Sequence, residues 1–156
     1  NAELPLSHGT EINLRIPALI PDDYLPDVHN RLMLYKRIAS AKNQDELKEL
    51  QVEMIDRFGL LPDQAKNLIR QTQLRIRADL LGIQKIDAGN EWGRLEFGNT
   101  TSVDPLILVQ KVQQAPQSYK LEGANTFRFK LKDTTTDGKL AGVADMLSEL
   151  EQKKSA

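Results

Sequence analysis

The sequence predicts an α+β fold: a single domain with a three-helix layer followed by antiparallel hairpins alternating with helices. Three observations predict it. Apolar residues recur at helical spacing from residue 27 to 82, with only short links between runs. Residues 83–97 and 119–131 switch to two-residue alternation, and each stretch is broken by a glycine- and asparagine-containing turn. Leu140, Val143, Leu147 and Leu150 then return to a 3-4-3 spacing.

The elements follow in order. Ile12, Leu14 and Ile16 alternate with Asn13 and Arg15 as a short strand, which Pro17 and Pro21 end. Three prolines keep 18–26 extended or turned, and Tyr24 and Leu25 are expected to pin that stretch to the body. Asp27 caps a first helix running to about Lys42, with Val28, Leu32, Tyr35, Ile38 and Ala39 inward. Asn43 caps the second, and Glu46 completes a capping box. Leu47, Leu50, Met54 and Phe58 form its apolar stripe, widened by Val52 and Ile55, and Gly59 terminates it in a left-handed conformation. The third begins near Pro62-Asp63, buries Ala65, Leu68, Ile69, Ile76, Leu80 and Leu81, and stops at Gly82. Gly89-Asn90 turns the first hairpin. Asp104-Pro105 opens a fourth helix carrying Leu106, Leu108, Val109 and Val112. In the second hairpin Phe127, Phe129 and Leu131 share one face, and Arg128, Lys130 and Lys132 the other. The last helix begins near Gly138, with Lys153-Lys154 suited to its carboxyl end. Residues 1–10 read as a flexible lead-in or expression remnant, 11–152 as the domain and 153–156 as a frayed tail. The chain reads as a piece of a larger protein.

Composition narrows the chemistry. With 40% hydrophobic and 28% charged residues the chain is globular. A net charge of -1 argues against a dedicated nucleic-acid binder. The absence of cysteine removes disulfides, thiolate metal sites and cysteine nucleophiles. His8 and His29 have no metal-ligand spacing. Neither a phosphate-binding loop nor a nucleophile elbow is present. No cofactor and no catalytic or metal site is expected, and the chain is read as not an enzyme. No apolar run approaches a membrane span, so a cytoplasmic location is expected.

The most specific functional feature is an acidic stripe on the second helix: Glu46, Glu49, Glu53 and Asp56. Their spacing aligns four carboxylates on one helix surface. Carboxylate metal sites in helical bundles gather ligands from several helices, which this stripe does not do. It faces water or a basic partner. Two basic features compete with it: Lys66, Arg70, Arg75 and Arg77 on the third helix, and the Arg128–Lys132 strand. No aromatic side chain is expected on that strand face, and Trp92 is expected as a lid over the sheet core.

The run IPALIPDDYLPDVHNRLMLYKRIASA (16–41), followed by VEMIDRFGLLP (52–62), resembles the C-terminal domain of the bacterial transcription-repair coupling factor (Mfd) family. LGIQKID and the YKLEG hairpin fit the same domain in order, so the likeness covers about residues 10–152. The resemblance implies a regulatory piece of an ATP-driven DNA translocase whose motor lies outside this chain. It implies an autoinhibitory lid that packs on a UvrB-like module of the same polypeptide and masks its UvrA-binding surface. UvrA and RNA polymerase are then indirect partners, and direct DNA binding by this domain is not expected. The family's acidic contacts match VEMIDRFG, which places them at Glu53 and Asp56, with Glu49 a weaker protein-binding candidate. The alternative is a nucleic-acid-binding accessory module that uses the basic third helix and the Arg128–Lys132 strand.

Overall fold

A computed structural model describes residues 9–154, without the side chains of 152–154. Most of the expected lead-in, and residues 155–156 of the expected tail, lie outside the described residues. The fold is α+β, as expected: β1 (Glu11–Asn13), α1 (Val28–Ala39), α2 (Gln44–Phe58), α3 (Asp63–Leu80), β2 (Ile83–Ala88), β3 (Trp92–Phe97), α4 (Pro105–Gln114), β4 (Tyr119–Glu122), β5 (Thr126–Lys130) and α5 (Thr136–Lys154). The described residues divide into two compact units, one containing 16–76 and the other 9–15 with 77–154.

The first unit is helical. The capping chemistry acts where the sequence puts it. Asp27 Oδ2 accepts from the Asn30 amide at 3.3 Å. Asn43 Oδ1 accepts from the Glu46 amide at 2.9 Å, and Glu46 Oε1 accepts from the Lys42 amide at 3.0 Å. Gly59 closes α2 at φ +98°, a value that favours glycine, and its amide reaches Ile55 O at 2.9 Å. Ile20, Leu25, Leu34, Ile38, Leu47, Leu50, Met54, Leu61, Ala65 and Ile69 build one core, with Tyr24, Tyr35 and Phe58 packed against it. The proline-bounded stretch is pinned as expected. Tyr24 donates its hydroxyl to Gly59 O at 2.8 Å, and the Ile20 amide donates to the Tyr35 hydroxyl at 2.8 Å.

The inward face of α1 matches the expected one at Tyr35 and Ile38 and differs in its first turns. Leu34 and Ile38 are buried, whereas Val28 and Leu32 are exposed. The 28–32 and 34–38 spacings are both helical, and the shared core of Leu34 and Ile38 with Leu25 and Leu50 settles the choice. Val52 on α2 and Leu80 at the end of α3 are likewise exposed rather than buried. α1 also ends at Ala39, three residues before the expected boundary.

The second unit holds a five-stranded sheet in the order β1-β2-β3-β5-β4. β1 pairs parallel to β2, and every other pairing is antiparallel. Thr10, expected in a loose lead-in, is buried. Its amide donates to Asp79 Oδ1 at 2.9 Å and its hydroxyl to Ile83 O at 2.6 Å. One sheet face is apolar, with Ile86, Leu95, Phe97, Phe127 and Phe129 buried. α5 buries Leu140, Val143, Leu147 and Leu150, all at most 2% exposed. Gly93 makes room on that face, because a Cβ there would fall 2.3 Å from Phe129 Cζ.

Alternation then fixes the other face. With Leu95 and Phe97 inward, Trp92, Arg94 and Glu96 point outward. Trp92 therefore stands on the polar face, opposite Lys130, and is not the expected lid over the core.

Candidate functional site

The acidic stripe of α2 resolves into three different roles. Glu46 is committed to the helix cap, through its bond to the Lys42 amide. Glu53 is held inside its own unit. Arg37 of α1 donates Nη1 to Oε2 and Nη2 to Oε1, both at 2.8 Å, and Arg57 adds Nη1 to Oε2 at 3.2 Å. The Arg37 fork is the chief reason that the Glu53 carboxyl sits well down, at about 2. The same hydrogen bond raises the Arg37 guanidinium. Glu49 and Asp56 are exposed, and neither has an ion-pair partner among the described residues.

These groups share one surface. Glu49 and Asp56 lie seven residues apart, two turns or about 10 Å along α2. The clasped Arg37–Glu53–Arg57 cluster stands between them. Beside Glu49, a depression of about 330 Å³ is lined by Arg37, Ser40, Ala41, Glu46, Leu50 and Glu53. Arg57 also lies over the Phe58 ring, 4.8 Å from its centroid. The stripe is thus not an uninterrupted negative line. It is two unpaired carboxylates flanking a group that carries one net positive charge, from two arginines and one glutamate. Such a surface suits a partner with cations at both ends and can tolerate an acid between them.

Arg37 and Arg57 are additions to the site expected from the sequence. Arg57 is legible in the sequence, because i,i+4 from Glu53 is a standard helix pair. Arg37 required knowledge of how α1 and α2 pack.

The basic third helix divides as well. Arg75 Nη2 donates to Ala41 O at 3.0 Å. Arg77 donates Nε to Glu151 Oε2 and Nη2 to Glu151 Oε1, both at 2.9 Å, and Nη2 also reaches Ser148 and Ala144 O. Arg75 and Arg77 are thus engaged within their own units. Among the described residues no cluster of histidine, cysteine and acidic side chains is arranged to hold a metal ion, and no helix is long and apolar enough to cross a membrane.

The comparisons agree with this architecture. The family model of the TRCF domain matches residues 14–108. The chain is 43% identical to the transcription-repair-coupling factor of Escherichia coli K12 over 150 residues, which are 96% of this chain and 13% of that protein. It is 48% identical to that of Haemophilus influenzae over 139 residues, 88% of this chain and 12% of the relative. It therefore spans about an eighth of the length of these curated relatives. The crystal structure of the C-terminal domain of a transcription-repair coupling factor superposes with a TM-score of 0.69 at 25% identity, covering 94% of this chain and 96% of that one. The chain belongs to the transcription-repair coupling factor family and corresponds to its C-terminal domain.

Proposed function

We propose that this chain is a non-catalytic, autoinhibitory domain of a cytoplasmic DNA repair translocase. Through the α2 face that carries Glu49, Glu53 and Asp56 it docks on a UvrB-like module of the same polypeptide. In that position it masks the surface that binds UvrA, and engagement of RNA polymerase and DNA releases it. One observation carries the docking reading: Glu49 and Asp56 are exposed and unpaired on either side of a clasped Glu53. A basic partner surface would supply the cations that these two carboxylates lack. Glu53 lies between them on that face, its carboxylate already held by Arg37 and Arg57.

Exposed ion pairs are individually weak, about 0.2–1 kcal/mol each. Tethering makes them sufficient. A short flexible tether gives an effective concentration on the order of 1 mM. A docking affinity on the order of 1 μM would then favour the closed state about a thousandfold, or about 4 kcal/mol. Binding of a large partner to the open state can overcome that amount.

The test reverses the two unpaired charges, Glu49→Arg and Asp56→Arg, in the full-length parent. Affinity for UvrA is expected to rise, up to the thousandfold ceiling set by the closed state. The melting temperature of the isolated domain should barely move, because exposed substitutions fall within about 0.5 kcal/mol. An unchanged UvrA affinity in a correctly folded variant refutes the docking role. Reversing Glu53 is the poorer probe, because it would set three arginines side by side.

A further inference from the structure

The outer face of the sheet carries a cluster that the docking surface does not use. Trp92 opens β3 on that face, opposite Lys130 of β5. Three cations crowd its ring. The Arg128 guanidinium carbon lies 4.6 Å from the ring centroid, Lys130 Nζ 5.3 Å and Lys120 Nζ 5.7 Å. The indole attracts each of them, but three like charges in one place also repel, so the spot has a raised positive potential. Little negative charge offsets it. Glu91 lies 3.8 Å from Lys130, and Glu122 is engaged by Arg94 at 2.8 Å. Arg128 and Lys120 have no carboxylate partner among the described residues.

The geometry points to a binding surface for single-stranded nucleic acid, with a base laid against the Trp92–Arg128 pair and the neighbouring phosphates held by Arg128, Lys130 and Lys120. Both halves of that ligand are matched. Any base offers a π-face to an indole or a guanidinium plane. Arg128 and Lys130 stand two residues apart on one strand, about 6–7 Å, and Lys120 stands on the next strand about 5 Å away, so the cations form a short track rather than a point. A duplex hides its base faces and gives the indole nothing to stack on. An acidic peptide would use the cations and leave the ring without a role. One ground for expecting no direct nucleic-acid contact is a basic strand face without an aromatic, and the β3–β5 register puts Trp92 there. The surface needs neither Glu49 nor Asp56, so it stands or falls apart from the docking reading.

Trp92 is the one tryptophan of the chain, so its fluorescence reports the site directly. The whole chain is titrated with an oligothymidylate of about ten nucleotides, a duplex of the same length and polyglutamate. Saturable quenching is expected with the oligothymidylate alone. Its affinity should fall with salt at a log–log slope near -2, from three cation contacts at about 0.7 each. The pair Arg128→Glu and Lys120→Glu should weaken binding at least tenfold. Trp92→Ala, followed by polarisation of a labelled oligonucleotide, should do so about tenfold. If Trp92→Ala fails to fold by circular dichroism, the charge reversal decides the matter, because it leaves the core face and the reporter in place. Absence of saturable quenching overturns the proposal. So does equal quenching by polyglutamate, a preference for duplex, or an affinity unmoved by the charge reversal.

Discussion

Arg37 of α1 grips Glu53 of α2 with both arms of its guanidinium, two parallel hydrogen bonds of 2.8 Å. This fork joins two helices that meet through a short link at Ser40–Asn43. It also converts a residue that reads as part of an open acidic ridge into an internal fastener.

The fork makes stability depend on acidity in a defined window. The Glu53 carboxyl lies at about 2 in the folded chain against an ordinary 4.5, so the unfolded chain takes up the proton first as pH falls. The stabilising contribution is therefore complete above about pH 4.5 and disappears as pH approaches 2. Glu53→Gln removes it. Melting curves of the two proteins should differ near neutrality and converge as pH falls through that window. Curves that run parallel down to pH 2 would mean that the fork contributes nothing.

Gly93→Ala should test the close approach on the core face. The new methyl would overlap Phe129 Cζ, Cε1 and Cε2, all within 2.7 Å of the built Cβ position. Overpacking of this kind costs about 1–3 kcal/mol. Urea unfolding should register that loss, and Phe129→Leu in the same chain should recover part of it, a coupling that independent sites would not show. Additive losses would contradict the contact.

Arg77→Met should loosen α5. The substitution removes the Glu151, Ser148 and Ala144 hydrogen bonds while keeping an apolar stem. Hydrogen bonds to charged groups contribute roughly 1.5–3 kcal/mol, so a loss of about 2 kcal/mol is expected. Amide exchange in α5 should quicken more than exchange in α2. Uniform acceleration across the chain would place the effect on global stability instead.

Much of the fold was legible because its signals are local. Asp27, Asn43 with Glu46, and Asp104 with Pro105 each cap a helix by chemistry contained within four residues, and each cap is formed. The stripe Leu140–Val143–Leu147–Leu150 was unambiguous because it has no competing apolar face. α1 has two such faces, Val28–Leu32 and Leu34–Ile38, and only the neighbours select between them. The side on which Trp92 stands is also readable from the strand itself. Leu95 and Phe97 set the parity of β3, and an even-numbered residue three before Leu95 falls with Arg94 and Glu96. In the candidate site, the position of the four acids was readable and their electrical state was not. Glu53 is neutralised by Arg37, sixteen residues earlier, and a helical wheel drawn for α2 alone has no place for that partner.

The sheet ends at β4, a strand of four residues in which Lys120 and Glu122 project outward and only the outward-directed backbone of one or two positions is left for pairing. A rim so brief and so charged is a poor template for another chain to lengthen. Copies of this segment therefore gain little by pairing edge to edge through β4.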